Sequence, residues 1–131
     1  MKKAFVWTTL CMVMFLGVVS GCSKGAATEE EVSVAQARAW LKAGEATPMD
    51  VNTEEVREEY GLLPGAILLP SASAYEAAML PEDKGRKLVF YCFNRLCTAS
   101  HVAAKRARGF GHKNVHVMTE GIKVWRETQA P

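Results

Sequence analysis

The chain has 131 residues, with 16 lysines and arginines against 14 aspartates and glutamates. This near-neutral balance excludes the strongly basic surface that nucleic-acid binding needs, and the length suits one small domain with a single core. The histidines and cysteines stand in no spacing typical of a zinc site, so neither a metal nor another cofactor is expected.

Lys2 and Lys3 precede an apolar run over 4–19 that ends in Ser20, Gly21 and Cys22. This is the layout of an export signal. The run has 16 residues, short of the about 20 that a membrane-spanning helix requires, and it ends in small residues rather than a basic stop. Val19-Ser20-Gly21-Cys22 resembles a bacterial lipobox, in which the Cys is lipidated on sulfur and becomes the new amino terminus. The resemblance implies that residues 1–21 are a lipoprotein signal peptide, that Cys22 is the lipidation site, and that acyl chains hold the protein on a membrane of the cell envelope. In hosts of Gram-negative type, Ser23 after the lipidated Cys implies the periplasmic face of the outer membrane. Cys11, inside the signal core, carries no function. Loss of 1–21 removes Lys2 and Lys3 and leaves 14 basic against 14 acidic residues.

Residues 22–31 are small and polar without apolar period, which predicts a flexible tether, and the domain is expected over 32–131. Ser33 precedes a helical stretch over 34–43 that Gly44 stops, with Trp40 and Leu41 as core candidates. A short strand over 48–51 follows, then a second helix from Thr53 to Tyr60, rich in Glu at its start and stopped by Gly61. Residues 66–69 read as a short apolar strand, and Ser71 opens a predicted helical stretch to about Met79. Residues 88–91, Leu-Val-Phe-Tyr, form an unbroken apolar run of the kind found in a strand buried on both faces, with Cys92 at its carboxyl end. The stretch from Thr98 to Arg108 turns helical, with Ala99, Val102, Ala103 and Ala107 as its apolar face and Arg106 and Arg108 near its end. A strand over 114–118, a loop at Thr119 and Glu120, and a last helix from Gly121 carrying Val124 and Trp125 complete the chain. Strands alternating with helices predict a three-layer α/β domain with a central, mostly parallel sheet.

Three segments in order resemble the rhodanese-like family: Met49-Asp50-Val51 followed by Gly61-Leu62-Leu63-Pro64-Gly65-Ala66; Val89-Phe90-Tyr91-Cys92; and 111–117 with Gly121-Ile122-Lys123-Val124-Trp125. The resemblance implies a parallel sheet flanked by helices and a catalytic Cys in the loop after the central strand, at Cys92. The departures are Asn52 where the family has Arg, Leu62 where it has His, and Cys97-Thr98 where its loop usually closes in Arg-Ser or Arg-Thr. The stretch after Cys92 is also about two residues longer than is common.

A sulfurtransferase needs a thiolate to attack a sulfane sulfur and a pocket to hold the persulfide that results. A strand-to-helix turn meets both demands: the backbone N–H groups of Phe93, Asn94, Arg95, Leu96 and Cys97 can ring the sulfur, and the following helix amino end adds positive potential. Arg95 is the candidate cation for the thiolate and for an anionic donor. Cys97 is a candidate resolving thiol, able to attack a Cys92 persulfide and leave a disulfide. Thr98 is a candidate helix cap, and Ser100 and His101 are candidate auxiliaries near the pocket mouth. The resemblance gives Asp50 a bracing role on the active loop.

Three functions stay open. The leading one is transfer of sulfane sulfur from a thiosulfate- or polysulfide-like donor to a thiol or cyanide acceptor through a Cys92 persulfide. The others are a thiol-disulfide redox module using Cys92 and Cys97, and a non-enzymatic binding domain on the envelope. Phosphatase chemistry of the Cys-x5-Arg type is disfavoured by Thr98 at the Arg position. The expected partners are a small sulfur anion, a thiol acceptor and, through the lipid, a membrane.

Overall fold

A computed structural model describes residues 30–129. The signal segment 1–21 and the lipidation candidate Cys22 lie outside the described residues. Ten elements follow in order: β1 (Glu30–Val32), α1 (Val34–Lys42), β2 (Ala46–Asp50), α2 (Glu54–Tyr60), β3 (Ile67–Leu68), a 3-10 turn (Ala77–Met79), β4 (Lys87–Tyr91), α3 (Ala99–Gly109), β5 (Val115–Met118) and α4 (Gly121–Glu127). The strands form one five-stranded sheet in the order β1-β5-β4-β2-β3, and every pairing is parallel. The expected α/β architecture is present, with β4 at its centre.

The period of two in a strand decides the layers. Leu88 and Phe90 of β4 point into one core with Met49, Tyr75, Ala103, Ala104, Ala107 and Val117. Val89 and Tyr91 point into the other with Val34, Ala37, Leu63, Ile122 and Trp125. Leu88, Val89, Phe90 and Tyr91 are all fully buried, which is why the sequence shows no polar alternation there. On the first face α3 lies close to the sheet because its inner positions are small. Arg38 of α1 ties α1 to α4 on the second face, lying 4.6 Å over the Trp125 ring and donating to the Trp125 carbonyl.

Four boundaries differ from the expectation. Glu30 and Glu31 belong to β1, paired with His116 and Val117, rather than to a tether, because an edge strand is joined by main-chain bonds and needs few apolar side chains. The inner face of α3 is Ser100, Ala103, Ala104 and Ala107, a full i, i+3, i+4, i+7 stripe, while Val102 is exposed. The expected helical stretch over 71–79 reduces to turns and the single 3-10 turn. Tyr75 explains this: its hydroxyl donates to the Ala103 carbonyl at 2.7 Å, and its own carbonyl accepts from Arg106 Nε at 2.7 Å, so it has no place in a helical ladder. Burial pushes the Tyr75 phenol up to about 12. Lastly, Trp40, Leu41 and Val124 are only partly buried and pack at the rim of the core.

Two buried histidines carry a pH dependence. Burial holds both His112 and His116 below the ordinary imidazole range, assisted at His112 by Lys84 and opposed at His116 by Glu30. The unfolded chain, with imidazoles titrating near ~6.5, therefore binds more protons than the folded one as pH falls, and stability present above that value is lost below it. Urea midpoints are expected to drop between about pH 7.5 and about pH 5.5, with a smaller drop in His116→Gln; an unchanged slope in that variant would remove His116 from the account.

Candidate active site

The loop that follows β4 is held by the start of α4. The Cys92 carbonyl accepts from the Ile122 amide at 2.9 Å and the Phe93 carbonyl accepts from the Lys123 amide at 3.1 Å, which satisfies two of the amides that a helix amino end leaves without partners. Gly121 allows the approach. Its φ is +71°, and a Cβ there would stand 2.3 Å from the Phe93 carbonyl oxygen, so any side chain forces the two segments apart. The Phe93 ring meets Tyr60 edge-on at 5.1 Å between centroids, fixing the loop base against α2.

Beyond Phe93 the chain turns on Asn94. Its side-chain oxygen accepts from the Leu96 amide at 3.0 Å, and its carbonyl accepts from the Cys97 amide at 3.1 Å, an Asx-stabilised turn. This turn brings Cys97 back to Cys92: the two form a disulfide, with Cα atoms 6.2 Å apart. Cys92 is 4% exposed and Cys97 is partly exposed. Leu96, at the apex, is 89% exposed.

The expected ring of amides is thus only partial, since the Leu96 and Cys97 N–H groups are engaged by Asn94. Thr98 precedes α3 in a helical conformation and, among the described residues, its hydroxyl caps none of the first amides, contrary to the expected cap. The first amides of α3 thus receive no bond from the Thr98 side chain. Ser100 is buried in the opening turn of α3, and His101 beside it is partly buried.

Arg95 does not serve as a free cation. It is 67% exposed and lies 3.4 Å from Glu120, whose second carboxylate oxygen accepts from the Val34 amide at 2.7 Å. Glu120 therefore joins the sulfur loop to the amino end of α1, a role the sequence reading passed over because it placed Glu120 in a short connecting loop. Asp50 is also corrected in its target. Fully buried, it accepts from the Asn52 amide and side chain and from Arg57 Nε at 2.8 Å. Its register partner on β4 is Tyr91, whose phenol is held up by burial first and by the Asp50 charge second. Arg57 was missed for a plain reason: in sequence it is one of five charged residues in α2, and only the fold places it on a buried carboxylate. Among the described residues no cluster of His, Cys, Asp and Glu is arranged to hold a metal.

The Rhodanese-like domain family model matches residues 33–128. The chain belongs to the rhodanese-like family. No curated protein matches it. Among solved structures, a Bacillus halodurans protein is similar at 24% identity and a TM-score of 0.65, covering 78% of this chain and 74% of its own. A Rhodopseudomonas palustris protein of unknown function, described as a possible tyrosine phosphatase, is 26% identical with a TM-score of 0.61, over 79% and 83%. A human single-domain sulfurtransferase is 24% identical with a TM-score of 0.62, over 79% of this chain and all of its own. These identities establish the rhodanese-like fold.

The Gly121 contact generates a prediction. Gly121→Ala is expected to lower stability by about 1–3 kcal/mol, through the left-handed φ and the crowded carbonyl, and to slow closure of the Cys92–Cys97 bond. Urea unfolding and timed thiol trapping measure the two effects; an oxidation rate equal to wild type would show that the loop does not depend on this seat.

Proposed function

We propose that the protein is a sulfurtransferase that takes sulfane sulfur from a thiosulfate- or polysulfide-like donor onto Cys92 and passes it to a thiol or cyanide acceptor. The observation that carries the reading is the position of Cys92: it follows the buried central strand directly, on a loop fixed to α4, and the loop leads into the amino end of α3, whose dipole favours a thiolate. With thiosulfate, the Cys92 thiolate attacks the outer sulfur, the bond to the sulfonate sulfur breaks, sulfite leaves, and Cys92 carries a persulfide anion. An acceptor thiolate or cyanide then takes the outer sulfur and returns Cys92 to its thiolate form.

The Cys92–Cys97 pair favours a second, linked route. The Cys97 thiol can attack the inner sulfur of the persulfide, forming the disulfide and releasing sulfide, so that a bound sulfane sulfur leaves as hydrosulfide while the two cysteines are oxidised. An external dithiol must then reopen the bond. Without sulfur loading, the same pair gives plain thiol-disulfide exchange. The Cys-x5-Arg phosphatase pattern remains absent, since Thr98 holds the Arg position.

Reduced wild-type protein treated with thiosulfate or polysulfide is expected to gain the mass of one sulfur atom, and Cys92→Ser to gain none. In Cys97→Ser the persulfide should form and persist, with sulfide release cut by ~10-fold or more. A wild type that takes up no sulfur would end the transferase reading and leave the exchange module.

We further propose that the domain works at the cell envelope, held through lipid on Cys22. Palmitate labelling of the expressed chain is the check: label should vanish in Cys22→Ala, and label that stays would discard the anchor.

A further inference from the structure

The two sulfurs of the disulfide are not equally open to an external thiol. Cys92 is 4% exposed; the strand residues before it, Phe90 and Tyr91, are fully buried, as is Ile122, whose amide holds its carbonyl. Cys97 is partly exposed, and Arg95, Leu96 and Thr98 around it are all exposed. Leu96, at 89%, turns into solvent and lays nothing over the approach.

Thiol-disulfide exchange is an in-line displacement, so the incoming thiolate reaches a sulfur only from the side opposite its bonded partner, and access decides which sulfur is attacked. Cys92 is buried at the end of the central strand, whereas Cys97 is partly exposed on a loop of exposed neighbours, so Cys97 is the more accessible of the two. We infer that Cys97 is the sulfur at which an external reductant enters and Cys92 is the sulfur released. This rests on the proposed linked route, in which the pair cycles through its disulfide. The thiolate of the reductant bonds to Cys97 Sγ, the Sγ–Sγ bond breaks, and its electron pair leaves on Cys92 as a thiolate. The reductant carries a second thiol that attacks its own sulfur in the mixed disulfide, leaves as an internal disulfide, and returns Cys97 as a thiol. The oxidation state balances: one dithiol is oxidised for each protein disulfide reduced.

The order has a chemical result. Cys92 regains its thiolate while Cys97 is still blocked by the reductant, so the sulfur-accepting thiol is available before its resolving partner. A sulfane donor present at that moment loads Cys92 when Cys97 cannot discharge it as sulfide, and the persulfide is then open only to an external acceptor.

The sequence supplies a clean readout, because trypsin cuts after Arg95 and separates Cys92 from Cys97. The oxidised full chain is mixed with glutathione as a single-thiol probe, quenched with N-ethylmaleimide at several short times, digested and mapped by mass spectrometry. Extrapolated to zero time, glutathione is expected on the 96–105 peptide and maleimide on the 88–95 peptide, with a preference of ~10-fold or more. Glutathione on Cys92, or an even split, overturns the inference and leaves the sulfur-transfer reading intact. An air-oxidised chain whose two cysteines both react with maleimide before any glutathione is added has no disulfide, and overturns this inference together with the resolving role of Cys97. Sulfur loading of Cys92 is measured separately, so the failures are distinguishable.

Discussion

The site depends on the contact between a loop and a helix end. The carbonyls of Cys92 and Phe93 fill the amides of Ile122 and Lys123, and Gly121 lets the two backbones approach to a distance that no side chain would permit. Without that seat the segment after β4 would be a mobile connection between a strand and a helix. With it, Cys92 is fixed at the end of a strand buried on both faces, and the Asn94 turn has a firm base from which to return Cys97.

Around this seat the charges are arranged in pairs rather than left open. Asp50 is matched by Arg57 and by the two nitrogens of Asn52, as a carboxylate with no solvent must be, since a buried charge stripped of its partner costs about 3–5 kcal/mol. Its position beside Tyr91 makes it a support for the end of β4, one residue before Cys92.

Much of this was legible in the chain itself. The apolar run over 88–91 announced a central strand because burial on both faces removes the polar alternation. Gly61 and Gly121 marked an end and a beginning of helices through their backbone freedom. What was illegible depended on long-range contacts. Arg57 meets Asp50, Glu120 meets both Arg95 and Val34, and Tyr75 exchanges hydrogen bonds with α3, none of which a local pattern encodes. The apolar face of α3 was misread because Val102 counts as hydrophobic by composition, although the stripe that includes Ser100 is the one facing the sheet. Glu30 and Glu31 looked like tether because edge pairing is carried by main-chain groups, which every residue type has.

The pairing of Arg95 with Glu120 bears on selectivity. A small dianion drawn toward the loop meets a guanidinium whose charge already has a counter-charge 3.4 Å away, and to use it fully must displace a carboxylate that also holds the first amide of α1. For an exposed ion pair that toll is no more than about 1 kcal/mol, roughly fivefold in occupancy. On the proposed sulfur-transfer reading, it weakens recognition of a donor by net negative charge alone, for thiosulfate and polysulfide alike.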